Sequence, residues 1–286
     1  MIQLITDSTA YLSEALIGNY PIEIVSLSVL IDEDIFVESE TDNKVFYARM
    51  AQGQNFPKSA QPSVDKMMRA FEEAVLKGYE IIGTFLSSDM SGTYQTACMV
   101  KDQLLEKYPD ARIEIIDSRT NSMQMGLCVL HGAALAAQGN SLEMVAEAMR
   151  NHVNRSRFVF LPATLDYLKM GGRIGGAKAL LGSILQILPI LTVKEGRTEV
   201  LQNVRTKKKA VETLLQIVLE DIKKYELDHV IVHHIECYEE GLVLAKRLED
   251  ELGTSVTVVD IGPVIGTHVG PGAIGIAYDV KRPFED

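Results

Sequence analysis

The sequence has no CxxC pair, no HExxH motif, no GxSxG elbow and no ATP-binding P-loop. Its three cysteines, Cys98, Cys128 and Cys237, are widely spaced and odd in number, which points away from a disulfide framework and toward free thiols in a reducing compartment. No metal site is indicated. His233 and His234 are adjacent in an apolar run, and neighbours on a strand face opposite sides, so the pair is expected to be structural. Positive charge is scarce: 28 Lys and Arg stand against 39 Asp and Glu, a net charge of -11. That balance argues against nucleic acid and against adsorption to anionic membranes, since both need a basic surface. It suits a soluble protein, or one with a basic partner. The most apolar stretch, Ala179 to Val193, is interrupted by Gly182, Ser183, Gln186 and Pro189 and is too short to span a bilayer. The first residues carry no basic region of the kind that opens a signal peptide, so a cytoplasmic location is expected.

What is present is enough apolar material, 47% of 286 residues, to build two ordinary cores. The first half alternates strand and helix. Ile2–Ile5, Ile22–Ile31, Glu80–Leu86 and Arg112–Asp117 read as strands. Between and after them, Val64–Lys77, Thr93–Tyr108, Met123–Gln138 and Leu142–His152 read as helices, with Asp42, Ser63 and Ser141 as caps. Such alternation implies a largely parallel, Rossmann-like sheet. The second half differs. Ile190–Lys194 and Arg197–Val204 flank Glu195-Gly196, a hairpin turn, and a long helix over Lys207–Tyr225 starts at Thr206. A hairpin implies a mixed sheet of α+β type. The expected architecture is therefore two α/β domains, 1–154 and 155–286, with any ligand between them.

Hydroxyl-rich loops follow several strands. In a parallel sheet, loops at the carboxyl ends of strands line the ligand crevice. Ile5 leads into Thr6-Asp7-Ser8-Thr9, and Leu86 leads into Ser87 through Thr93, which opens a helix. A helix start offers free N–H groups to an anion at Ser91-Gly92-Thr93, although Ser88 or Ser91 as a plain cap fits equally well. Ser63 caps the helix after Ser59-Ala60-Gln61-Pro62-Ser63, which leaves Ser59 free. Gly270 to Gly275 spells GxGxxG, but only 11 residues follow, too few to complete a dinucleotide-binding unit. The glycines of Gly262–Ala273 instead read as a loop that lets backbone approach a ligand, with His268 among them. Leu168–Ile174 is a basic glycine loop containing Arg173. Arg205-Thr206-Lys207-Lys208-Lys209 sets cations at a helix start, where they oppose the helix dipole, so Arg205 is not there for helix stability. Both basic clusters suggest an anion or an acidic partner surface.

Ile5-Thr6-Asp7-Ser8-Thr9-Ala10, Gln61-Pro62-Ser63, Ser87-Ser88 with Ser91-Gly92-Thr93-Tyr94, Leu168-Lys169 with Gly171-Gly172-Arg173-Ile174, and Gly266 through Ala273 occur in the order seen in the DegV family of fatty-acid-binding proteins. The resemblance covers nearly the whole chain. It implies a fatty acid held between two α/β domains and no cofactor beyond that ligand. It also implies a carrier rather than an enzyme in its own right, since some members are the FakB subunit of bacterial fatty acid kinase. Those present the carboxylate to a separate ATP-using kinase subunit, which forms acyl phosphate for phospholipid synthesis. By the same resemblance Ser59, Ser91 with Thr93 beside it, and His268 bind the carboxylate, while Arg173 and Arg205 serve the kinase partner. The family's usual Thr-Ser-Gln-Pro-Ser is here Ser59-Ala60-Gln61-Pro62-Ser63, which keeps the hydroxyl but alters its surroundings. Leu180-Leu181 and Ile184–Leu191 are candidates to line the acyl tail, or else ordinary core. Two other readings are a serine hydrolase using Ser91 with His268 as base, and a phosphotransfer enzyme with Asp7 as nucleophile. The first lacks an assignable orienting acid; the second lacks both a paired acid two residues on and an ATP loop.

Overall fold

The computed structural model describes residues 1–53, 55–181 and 187–285. Ile22–Val25, Ile2–Asp7, Glu80–Phe85 and Ile113–Asp117 lie side by side in that order, all parallel. Helices cover both faces, which is why these strands read as near-continuous apolar runs. Met67, Phe71, Val100 and Leu104 pack with Ile5, Ile81 and Phe85 on one face. Met125, Val129, Val145 and Met149 share a cluster with Leu4 and Ile82 on the other. Each expected cap is made: Asp42 accepts from the Val45 N–H, Ser63 from Lys66, Ser141 from Met144 and Thr206 from Lys209.

The run from Ile22 to Ile31, expected as one strand, is two. Ile22–Val25 stays in the parallel sheet, while Ser28–Ile31 pairs antiparallel with Asp34–Val37 and Lys58–Ala60. The break falls at Ser26-Leu27, where the Leu27 N–H turns to the Ser8 hydroxyl (3.1 Å) and the Ser26 hydroxyl donates to the Leu27 carbonyl (3.0 Å). This small sheet places Ser59 opposite Val29.

The second sheet has six strands in the order Arg197–Val204, Leu188–Lys194, Ser156–Leu161, Ile274–Val280, Leu227–His234, Thr257–Asp260, with only the last pair parallel. At the hairpin tip Glu195 and Gly196 both have positive φ, 49° and 81°, as a tight two-residue turn needs. Helices Lys207–Tyr225 and Tyr238–Leu252 cover one face, burying Val159 and Leu161. Phe158 and Phe160, alternating with them, point the other way, into the same apolar cluster as Leu4, Ile82 and Val145 of the first half. Among the described residues no strand of 1–154 pairs with one of 155–286, yet the apolar core runs across that line.

One expectation is corrected. Gly262–Ala273 is not a loop throughout: Pro263–Val269 is an α-helix that carries His268 in its last turn. Proline suits the first helical position, where its missing N–H costs nothing, and Gly270, at φ 84°, ends the helix. The basic glycine segment is a short helix, Asp166–Met170, and a 3-10 turn, Gly175–Leu180, separated at Gly172, whose φ is 71°. No helix among the described residues is long and apolar enough to cross a membrane.

Candidate functional site

A cavity of about 330 Å³ lies between the small antiparallel sheet, the loop after Glu80–Phe85, the inner face of the mixed sheet and the helix Pro263–Val269. Its wall contains Ser59, Ser91, His268 and Arg173, and otherwise mostly apolar side chains such as Leu27, Leu86, Phe158, Phe160, Val264 and Ile265.

The polar groups are gathered by a closed ring of contacts. The Ser59 hydroxyl lies 2.8 Å from His268 Nε2. His268 packs against Gly171, where a Cβ would fall 2.2 Å from Nδ1. Two residues on, Arg173 donates from Nε and Nη2 to the Met90 carbonyl (3.0 and 2.8 Å), and from Nη1 to the Gly171 carbonyl (2.6 Å). Met90 precedes Ser91. Gly92 then lies against Gln61, whose side chain is held by the Thr96 hydroxyl at 2.7 Å and which follows Ser59 by two residues. Ser91 itself bonds Thr93, hydroxyl to hydroxyl at 2.9 Å, and accepts from the Thr93 N–H at 3.3 Å. Thr93 is fully buried behind it and is not part of the wall.

The loop that bears Ser91 is tied to strand Ile2–Asp7 by the Asp7 carboxylate. One oxygen accepts from Leu86 N–H (2.9 Å), the other from the Thr9 N–H (2.9 Å) and hydroxyl (2.5 Å). Burial raises the Asp7 carboxyl to about 6 in spite of those bonds. With both oxygens committed, Asp7 is a tie between loops rather than a nucleophile. The hairpin tip closes over the same loop: Ser87 donates to the Gly196 carbonyl (2.7 Å) and Arg197 pairs with Asp89 (2.7 Å).

Arg205 is exposed at the end of strand Arg197–Val204, outside the wall. Of the two readings of Leu180-Leu181 and Ile184–Leu191, tail lining or ordinary core, the described part agrees with the second: Ile190 and Leu191 are buried in the apolar clusters, and none of 180, 181 or 187–191 reaches the wall. Residues 184–186 lie outside the described residues. The wall residues that sequence reasoning missed, Asn121, Phe158 and Thr198 among them, carry no signal of their own. Phe158 and Phe160 alternate as a buried strand face does, whether it meets a core or a cavity.

The hydrolase arrangement is not formed. His268 pairs with Ser59, Ser91 pairs with Thr93, and Nδ1 of His268 meets no hydrogen-bond partner among the described residues, so no acid orients the ring.

Burial, with a smaller contribution from the Arg173 charge, holds the His268 imidazole down at about 4, so the ring is neutral near pH 7. The unfolded chain takes up this proton more readily. The stability the neutral ring contributes is therefore complete above about 6.5 and is lost as the pH falls from there toward about 4. In ligand-free protein, His268→Asn is expected to flatten that part of the profile of melting temperature against pH. Identical slopes in the two proteins between about pH 7 and 4 would refute the assignment.

The family described as "Uncharacterised protein, DegV family" matches residues 1–281. A DegV domain-containing protein of Clostridium acetobutylicum is 49% identical over 281 residues, 98% of each chain. One from Clostridium perfringens is 43% identical over 97% of this chain and 98% of its own. Among solved structures, a fatty-acid-binding DegV family protein of Thermus thermophilus superposes with a TM-score of 0.86 at 30% identity, over 98% of this chain and 99% of that one. A stearic-acid-binding protein of Eubacterium ventriosum superposes at 0.90 with 29% identity and the same coverage.

Proposed function

The chain belongs to the DegV family, and from that premise we propose that it holds one long-chain fatty acid in the cavity, carboxylate toward Ser59, Ser91 and His268. The observation that carries this reading is the make-up of one cavity: hydroxyls, an imidazole and a guanidinium drawn together by contact, the rest of the wall mostly apolar. Ligand pockets run from roughly 300 to 1,000 Å³, and the cavity sits at the lower end of that range. A carboxylate cannot be buried without partners. Here the serine hydroxyls donate to it, the neutral His268 shares its proton with Ser59, and Arg173 supplies the opposing charge. Thr93 acts through Ser91, whose hydroxyl it turns. The structures of similar proteins that carry fatty acids support the ligand class.

In this reading 1–154 and 155–286 are the two domains of a cytoplasmic carrier, with no catalysis of its own. The carrier presents the carboxylate to a separate ATP-dependent kinase subunit that forms acyl phosphate for phospholipid synthesis. Arg205, exposed and outside the wall, is assigned to that partner; Arg173 faces the cavity and reaches a partner only through its mouth. Organic extraction of the purified protein followed by mass spectrometry is expected to yield close to one C16–C18 fatty acid per chain. Protein prepared from a lipid-replete host and found empty would defeat the proposal. ATP consumption by the isolated chain would defeat the carrier part alone.

A further inference from the structure

The helix Pro263–Val269 supplies Val264, Ile265, His268 and Val269 to the cavity wall, yet its own chain does not cap it: Gly262 offers no side chain. The acceptor at its start comes from the other half of the molecule. Glu38 lies in a 3-10 turn, Glu38–Glu40, and is only 8% exposed. Its Oε1 accepts from the Val264 N–H at 2.9 Å and from the Tyr11 hydroxyl at 3.1 Å, and its Oε2 accepts from the Ser8 hydroxyl at 2.5 Å. Tyr47 adds a second hold, its hydroxyl donating toward the carbonyls of Ile261 (2.8 Å) and Gly262 (3.1 Å). The fit is close: a Cβ on Gly262 would lie 2.9 Å from Glu38 Oε1.

A carboxylate is a costly way to fill buried space, because an apolar side chain of the same size would be cheaper there. Its value lies in what it accepts from. Val264 and His268 are four residues apart, hence on one face of the helix a single turn apart, and both reach the cavity. The geometry points to Glu38 as a positioning residue of the ligand site: by receiving the Val264 N–H it sets the height of the helix at which His268 Nε2 meets Ser59. Burial raises the Glu38 carboxyl to about 7. A proton on Oε2 leaves Oε1 free to accept, so the hold needs an acceptor at that point rather than a charge. The inference rests on the fatty acid reading of the cavity and assigns Glu38 a part in it.

The test compares release of cis-parinaric acid from Glu38→Leu, Glu38→Gln and Val218→Ala, the last a core variant in the helix Lys207–Tyr225, remote from the cavity. The histidine ¹⁵N signals are recorded in the same proteins. Orphaning a buried donor carries a penalty worth about tenfold or more in an equilibrium constant, which a helix can escape by moving. Glu38→Leu is therefore expected to release the probe about tenfold faster and to move the His268 signals. Glu38→Gln, which keeps the acceptor, should stay within about twofold of wild type with unmoved signals, as should Val218→Ala at a similar loss of melting temperature. If Glu38→Leu does not fold, Glu38→Asp, which withdraws the acceptor by one methylene, takes its place with the same expectation. Release from Glu38→Leu no faster than from Val218→Ala, or Glu38→Gln as fast as Glu38→Leu, overturns the inference. Wild-type protein that binds no probe would remove the carrier reading, while the imidazole signals still decide whether Glu38 places His268.

Discussion

Replacing Gly266 with alanine is expected to cost roughly 3 kcal/mol of stability and to strip the cavity of ligand. The added Cβ would lie 1.8 Å from the Tyr47 hydroxyl oxygen and 2.7 Å from the ring carbon bearing it. Tyr47 has nowhere to go. It is 4% exposed, packs edge-on against Phe46 with ring centres 5.2 Å apart, and holds the chain at Ile261 and Gly262. Either the ring leaves a close-packed core or the helix lifts away from it, and the second course carries His268 off Ser59. Overpacking of a rigid, buried neighbour is more damaging than crowding the end of a long, exposed side chain that can turn aside at the loss of one hydrogen bond. Gly92→Ala is the useful contrast, since its Cβ would meet the terminal oxygen of Gln61. Chemical denaturation and a ligand-release assay on both variants check this. A Gly266→Ala protein as stable as Gly92→Ala would contradict the packing described here.

A series of saturated fatty acids is expected to show the largest effect of all. Each methylene withdrawn from water contributes about 0.8 kcal/mol, close to fourfold in affinity, so going from decanoate to palmitate adds roughly 5 kcal/mol before ordering costs. The gain persists only while the approximately 330 Å³ can admit more chain. Beyond that length the wall is already packed and affinity is expected to turn over, with the longest acids bound more weakly than palmitate or stearate. Displacement of a fluorescent acyl probe across the series measures it. An affinity independent of length would mean that the apolar wall holds no tail.

The strands of the parallel sheet, the caps and the hairpin were legible because each leaves its pattern in residues close in the chain. Ser63 and Thr206 cap the helices that follow them, and Glu195-Gly196 turns as its composition requires. The helix Pro263–Val269 was not legible. One glycine and four β-branched residues in seven disfavour a helix locally, and what stabilises the helix comes from Glu38 and Tyr47, more than two hundred residues away in sequence. The pairing of Ser59 with His268 is equally remote, 209 residues apart, so only the likeness to a family joined them on paper. Composition also cannot separate a tail-binding wall from a core. Phe160 and Leu191 are cross-strand partners and both apolar, yet one faces the cavity and the other packs inside.

That apolar packing runs unbroken from Leu4 and Ile82 to Phe158 and Phe160, the last two of which also face the cavity. An acyl chain lying there would complete the interior of the folded protein, and its occupancy would be felt by both sheets at once. By mass action the filled protein then resists heat and proteolysis better than the empty one, by an amount set by how far the ligand concentration exceeds its dissociation constant. The supply of fatty acid would thus govern how long each molecule survives as well as what it carries.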